Sequence, residues 1–109
     1  MNWIPLVSED QLKGLIEQSK QKPQVIFKHS TRCSISSVAK SRLEKSNTPG
    51  HIDFYYLDLL SHRTISNTIA REFEVAHESP QVLVIKDGSC VYHESHMGID
   101  MTEILSSLN

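Results

Sequence analysis

The chain is short of cysteine, of net charge and of long apolar runs, and each shortage excludes something. Only two cysteines, Cys33 and Cys90, occur in 109 residues. The start, Met1-Asn2-Trp3-Ile4-Pro5, has neither a charged end nor a long apolar run, so it does not read as a secretory leader. A cytoplasmic location is therefore expected, where thiols stay reduced, and a structural Cys33–Cys90 disulfide is not. Lysine and arginine number 11 against 13 aspartates and glutamates, a formal net charge of -2. That balance offers no pull on nucleic acid or on an anionic membrane. No stretch approaches the length needed to span a bilayer. Repeats, low-complexity tracts and linkers are missing too, so one domain with one core over residues 1–109 is expected.

What is present is an alternation of strand and helix patterns. Trp3 to Val7 reads as a short strand that Pro5 confines to a sheet edge. Ser8 has the place of a helix N-cap, with Gln11 at the capping-box position and Val7 and Leu12 at the spacing of a hydrophobic staple. Leu12, Leu15 and Ile16 supply that helix with a buried face. Gln24 to His29 reads as a buried strand. A second helix follows to about Lys45, with Ile35, Val38, Ala39 and Leu43 as its apolar stripe. Asn47-Thr48-Pro49-Gly50 breaks it. Phe54 to Leu57 suits an inner strand. Ser61 is placed to cap a third helix bearing Ile65, Ile69, Ala70 and Phe73. Gln81 to Ile85 is apolar enough for a strand covered on both faces. Asp87-Gly88 is a two-residue hairpin signal, and Ser89 to Glu94 is the return strand. Asp100, with Glu103 at the box position, begins a last helix bearing Met101, Ile104, Leu105 and Leu108. The order β-α-β-α-β-α-β-β-α predicts an α/β fold, a central mixed sheet flanked by helices on both faces.

The chemistry centres on Ser30-Thr31-Arg32-Cys33-Ser34-Ile35-Ser36. Cys33 stands where a strand hands over to a helix. The first turn of a helix has unpaired N–H groups and the positive end of the dipole. Arg32 adds a further positive charge. Both favour the thiolate, which is the nucleophile. Three residues on, at the spacing that returns to the same helix face, stands Ser36 in place of a second cysteine. Its hydroxyl can donate toward a thiolate and cannot close a disulfide. The plainer alternative for Ser36 is a first-turn serine that satisfies backbone.

The element order resembles the thioredoxin fold over almost the whole chain. Three local features carry the likeness. Cys33 opens the helix after the second strand, Ser79-Pro80 precedes the fourth strand where that fold keeps a cis proline, and the Lys86-Asp87-Gly88 hairpin follows. The segment His29 to Ser36, together with Glu78-Ser79-Pro80-Gln81-Val82, is similar to the monothiol bacilliredoxins of the bacillithiol system. That family's motif has a Thr-Cys-Pro-Ile-Ser character. Here Arg32 separates Thr31 from Cys33, and Ser34 stands where the proline would be. The resemblance implies a thiol–disulfide oxidoreductase that removes bacillithiol from bacillithiolated client proteins, as under oxidative stress. It implies a low-molecular-weight thiol as co-substrate and no resident cofactor. It makes Cys33 and Ser36 catalytic and places substrate at Thr31, Arg32, Ser79, Pro80 and Gly98. Arg32 would attract the anionic malate part of bacillithiol. The corner Gly98-Ile99-Asp100, before a helix start, would hold a carboxylate as a similar corner does in glutaredoxins.

Competing readings are a non-catalytic thioredoxin-like binding module and a redox sensor modified by a small thiol. A cluster shared in a dimer, as in monothiol glutaredoxins with Cys-Gly-Phe-Ser, lacks its glycine here. The string Cys90, His93, His96 invites a metal reading. It lacks a fourth ligand, its spacing matches no common zinc pattern, and on a regular strand Cys90 and His93 point to opposite faces. No metal site is expected. Cys90 reads as a small packing residue.

Overall fold

The period of the strands decides the layers. In β2 (Gln24–His29) alternate side chains go to opposite faces, so Val25 and Phe27 enter one core and Ile26 the other. The computed structural model describes residues 1–30, 34–46 and 49–108. Around β2 stand β1 (Trp3–Pro5), β3 (Asp53–Asp58), β4 (Gln81–Lys86) and β5 (Ser89–Ser95), in the order β1-β3-β2-β4-β5. β1, β3 and β2 run parallel, while β4 is antiparallel to both β2 and β5. α2 (Ser34–Lys45) and α4 (Met101–Ser106) supply Ala39, Leu43, Met101 and Ile104 to the first core. α1 (Glu9–Gln18) and α3 (Arg63–Phe73) supply Leu12, Leu15, Ile65 and Ile69 to the second. Helices therefore cover both faces, as the pattern predicts. Pro5 lies on an edge strand, and the whole of β2 is buried.

The punctuation largely follows the sequence. The Ser8 side chain accepts from the Gln11 N–H at 3.1 Å. The return bond starts one residue earlier than a capping box has it, from the Val7 N–H to Gln11 Oε1 at 2.8 Å. Asp87 and Gly88 take φ of 53° and 80° in the hairpin, the left-handed geometry that a two-residue turn needs. A short 3-10 turn, His96–Gly98, leads into α4, and Asp100 stands at the N-cap without a side-chain capping bond.

Four expectations are corrected. Val7 is more than half exposed and makes no staple, because Leu6, one residue earlier, goes into the core. His62 rather than Ser61 is the N-cap of α3, since the Ser61 hydroxyl donates to Asp58 Oδ2 at 3.0 Å. In α2 the buried stripe is Ser36, Ala39 and Leu43, while Ile35 and Val38 are 39% and 45% exposed. The small side chains of Ser36 and Ala39 let the start of the helix sit close on the sheet, and that rotation turns Ile35 and Val38 outward. Finally, β5 carries an extra residue. Val84 pairs with Tyr92 but Ile85 pairs with Cys90, so Val91 bulges and the strand changes face. Cys90 packs toward α1 and α3, and His93 opposes Leu83 of that same core. The two share a face after all. Even so, among the described residues no three metal-ligating side chains gather.

One residue of β2 stands out energetically. Lys28 is fully buried, and desolvation lowers its pKa from 10.5 to about 8. Between those values the unfolded chain holds a proton that the folded chain has released, so stability should rise with pH across that window. The gain is bounded at about 3 kcal/mol. Replacing a buried charge with an apolar side chain of similar length is neutral or stabilising. Lys28→Met should thus be at least as stable as the parent at pH 7 and lose its part of the rise between pH 8 and 10.5. Urea midpoints at pH 7 and 10 measure this. The same pH slope in both proteins would show that Lys28 is not the titrating group.

Candidate functional site

β2 ends at His29, and α2 begins at Ser34. Of the residues between, Thr31, Arg32 and Cys33 lie outside the described residues. Their flanks are tied together: the Ser30 N–H donates to Ser36 Oγ at 3.3 Å. Ser36 is wholly buried. Its oxygen thus accepts from backbone, as a first-turn serine can. The bond ties the residue after β2 to the first turn of α2.

Across from this passage lies the cis Ser79–Pro80 peptide. Lys28 pairs with Gln81 in the antiparallel ladder, so the cis bond falls at the same sheet end as Ser30. The Pro80 carbonyl accepts from the His96 N–H at 3.0 Å. Among the described residues, the Ser79 N–H and C=O take no partner, and Ser79 Oγ is buried without one. A backbone N–H and C=O left open beside a reactive thiol can pair with an extended segment of another chain.

Gly98 is accounted for differently from the expectation. A Cβ there would come within 2.7 Å of the Glu94 side chain, so the absence of a side chain allows that packing. Arg42 of α2 donates to the neighbouring Met97 carbonyl at 3.0 Å and ties this turn to the helix. The following helix is only six residues long, with Asp100 at its N-cap, a poor place to add a carboxylate.

Two groups of side chains are brought together only by the fold, and of them the sequence singles out His29 alone, as a strand-end histidine that could tune Cys33 electrostatically. On the α2 side, His29 is 5% exposed and its Nδ1 lies 2.9 Å from the Tyr56 hydroxyl, while its Nε2 is buried with no partner among the described residues. Glu44 Oε2 accepts from Lys40 Nζ and from Trp3 Nε1, both at 2.7 Å. Those bonds, the Lys40 one first, hold Glu44 below the usual carboxylate range. Burial, then the Lys40 charge, holds His29 below the ordinary histidine value. The result is a neutral imidazole under an open pocket of about 290 Å³ lined by His29, Ser37, Lys40, Ser41, Glu44 and Tyr56. On the α3 side, Lys28 Nζ lies 3.4 Å from His77 Nδ1. A lysine inside a strand buried on both faces is the signal that betrays the second group. The first needs the register of β2 against β3, which local patterns do not contain.

Cys90 lies at the other end of the sheet. It pairs with Ile85, four residues along β4 from Gln81, a distance of about 13 Å along the strand. Burial pushes its thiol pKa up, and its Sγ donates to the Tyr92 carbonyl at 3.3 Å. It packs, as expected, and is not a partner for Cys33.

This architecture is shared widely. A protein provisionally assigned as an oxidoreductase with a thioredoxin fold matches at 32% identity and a TM-score of 0.86, over 97% of this chain and 93% of its own. The thioredoxin of Malassezia sympodialis, Mala s 13, matches in fold at 20% identity and TM-score 0.76, over 98% of this chain and 88% of its own. That of Trypanosoma brucei brucei does so at 15% and 0.79, over 98% and 90%. The thioredoxin fold is thereby established, and with it a thiol redox role in keeping with the relative of 32% identity. The family model for Monothiol bacilliredoxin BrxC matches residues 4–104, nearly the whole chain, and the chain belongs to that monothiol bacilliredoxin family.

Proposed function

We propose that the protein is a monothiol thiol–disulfide oxidoreductase that removes bacillithiol from client proteins through Cys33. The observation that carries the reading is the strand-to-helix passage closed by the Ser30–Ser36 bond, facing the open backbone of Ser79 at the cis peptide. The Cys33 thiolate attacks the bacillithiol sulfur of the mixed disulfide. The client–bacillithiol S–S bond breaks, and the electron pair leaves with the client sulfur, which takes a proton from water. Cys33 now carries bacillithiol in a new disulfide. The thiolate of a second bacillithiol attacks that adduct, releasing bacillithiol disulfide and the Cys33 thiolate. Ser36 has no sulfur and Cys90 is at the far end of the sheet, so the second thiol must come from outside. Thr31 and Arg32 supply contacts to the small thiol, and the Ser79 backbone pairs with the client segment. Ile35 and Val38, adjacent on the outer face of α2, give a client an apolar surface to rest on. No resident cofactor takes part. Family membership supports bacillithiolated clients, the small thiol and a cytoplasmic setting, and among the described residues no helix is long and apolar enough to cross a membrane.

Intact-mass spectrometry tests the reading. Reduced protein is mixed with bacillithiol disulfide, or with a bacillithiolated client, across a range of pH. One adduct on Cys33, absent in Cys33→Ala and retained in Cys90→Ala, with client set free over many turnovers, is the expected result. Equal adducts on Cys90, or an adduct that forms once and frees no client, would favour the sensor or binding-module reading. Ser36→Ala removes the acceptor of the Ser30 N–H. It should lower stability by about 1 kcal/mol and slow adduct formation on Cys33. An unaltered rate would confine Ser36 to a structural part.

A further inference from the structure

Three side chains that the exchange steps do not use meet beneath the loop bearing the cis peptide. Lys28 Nζ lies 3.4 Å from His77 Nδ1 and 3.4 Å from the Ser66 carbonyl oxygen. Ser66 Oγ lies 3.3 Å from the same His77 nitrogen. Lys28 and Ser66 are completely buried, whereas His77 is exposed. At neutral pH, below its pKa of about 8, Lys28 is an ammonium with only protons to offer, so the Nδ1 that it faces is the unprotonated nitrogen. A neutral imidazole then carries its single proton on Nε2. With Nδ1 turned inward, Nε2 lies on the solvent side of the ring.

The loop that holds His77 is anchored from several sides. Gln81 Nε2 donates to the Ala76 carbonyl at 3.0 Å. The Ser95 hydroxyl donates to the Glu78 carboxylate. The Pro80 carbonyl takes the His96 N–H. The backbone that carries His77 is thereby held, three residues before Pro80 and at the sheet end where β2 finishes.

We infer that Lys28 and His77 form one recognition device, in which Lys28 positions His77 and the His77 Nε2–H binds a carboxylate of the small-thiol half of the mixed disulfide. The inference rests on the reading of Cys33 as the exchange centre. The charge around the ring suits an anion. Lys28 faces it from β2 and Arg63 from the start of α3, while Glu78, the nearby anion, is engaged by Ser95. Burial first, then Lys28 and Arg63, hold the His77 pKa below the ordinary histidine value against the pull of Glu78. At neutral pH the ring is consequently neutral, and the Lys28 ammonium fixes its tautomer. Lys28 never touches substrate.

The test combines nitrogen NMR of the His77 ring with exchange rates on two probes, bacillithiol disulfide and cysteamine disulfide, which has no carboxylate. The parent spectrum should show the Nε2–H tautomer with a low titration midpoint, and Lys28→Met should mix the tautomers and raise that midpoint. The ratio of the bacillithiol rate to the cysteamine rate should fall about tenfold in His77→Phe. His77→Gln, which keeps an N–H donor at similar reach, should hold the ratio within about threefold of the parent. An Nδ1–H tautomer in the parent, or a ratio that His77→Phe leaves unmoved, would overturn the inference while leaving the Cys33 reading intact. A ring spectrum unaltered in Lys28→Met would remove Lys28 from the device. A parent that exchanges with neither disulfide would sink the Cys33 reading, and this one with it.

Discussion

The burial of one strand on both faces is the constraint that everything else obeys. β2 is hydrogen-bonded to β3 on one side and β4 on the other, and helices cover it above and below. A strand so enclosed cannot shift register by one residue without exchanging its two sets of side chains between cores. Its end at His29 is therefore fixed in space. The same enclosure brings the start of β4 to that end, because Lys28 is paired with Gln81. The cis peptide and the end of β2 are neighbours as a consequence of one ladder.

The strand gives up stability where it approaches the site. Its middle, Val25 to Phe27, is apolar and its last two residues are Lys28 and His29, both buried. Among the described residues neither is paired with a carboxylate. Lys28 leans on a carbonyl and an imidazole, and His29 on a phenol. A core with no further task would carry apolar side chains at both positions. Polar groups placed there at a cost stand at the end of β2 on either face of the sheet, with His29 and Tyr56 under α2 and Lys28 and His77 under α3. Such departures from good packing concentrate at sites of function.

The order of elements, the two covered faces, the hairpin turn and the strand before Cys33 were all legible in the sequence, because each follows from local periodicity or turn chemistry. The rotation of α2 was not. Ile35, Val38, Ala39 and Leu43 form a good stripe on paper, but Ser36 and Ala39 face the sheet, because small residues allow close approach. The bulge at Val91 was equally hidden, since it is defined by what Ile85 and Tyr92 pair with across the ladder. Within the site, Cys33 and the Ser79–Pro80 step could be found from motif and position. The Lys28–His77 contact joins residues 49 apart in sequence, and only the fold brings them together.

The central claim is that Cys33 is an activated thiol, set at a helix start for exchange. Its most direct measure is the rate of alkylation by iodoacetamide against pH in Cys90→Ala, where Cys33 is the sole cysteine. The rate follows the thiolate fraction, so its midpoint reports the pKa. A midpoint below the ordinary thiol value of about 8.5 is the result expected. A midpoint at or above that value would mean that neither the helix start nor Arg32 favours the thiolate, and would contradict Cys33 as the nucleophile.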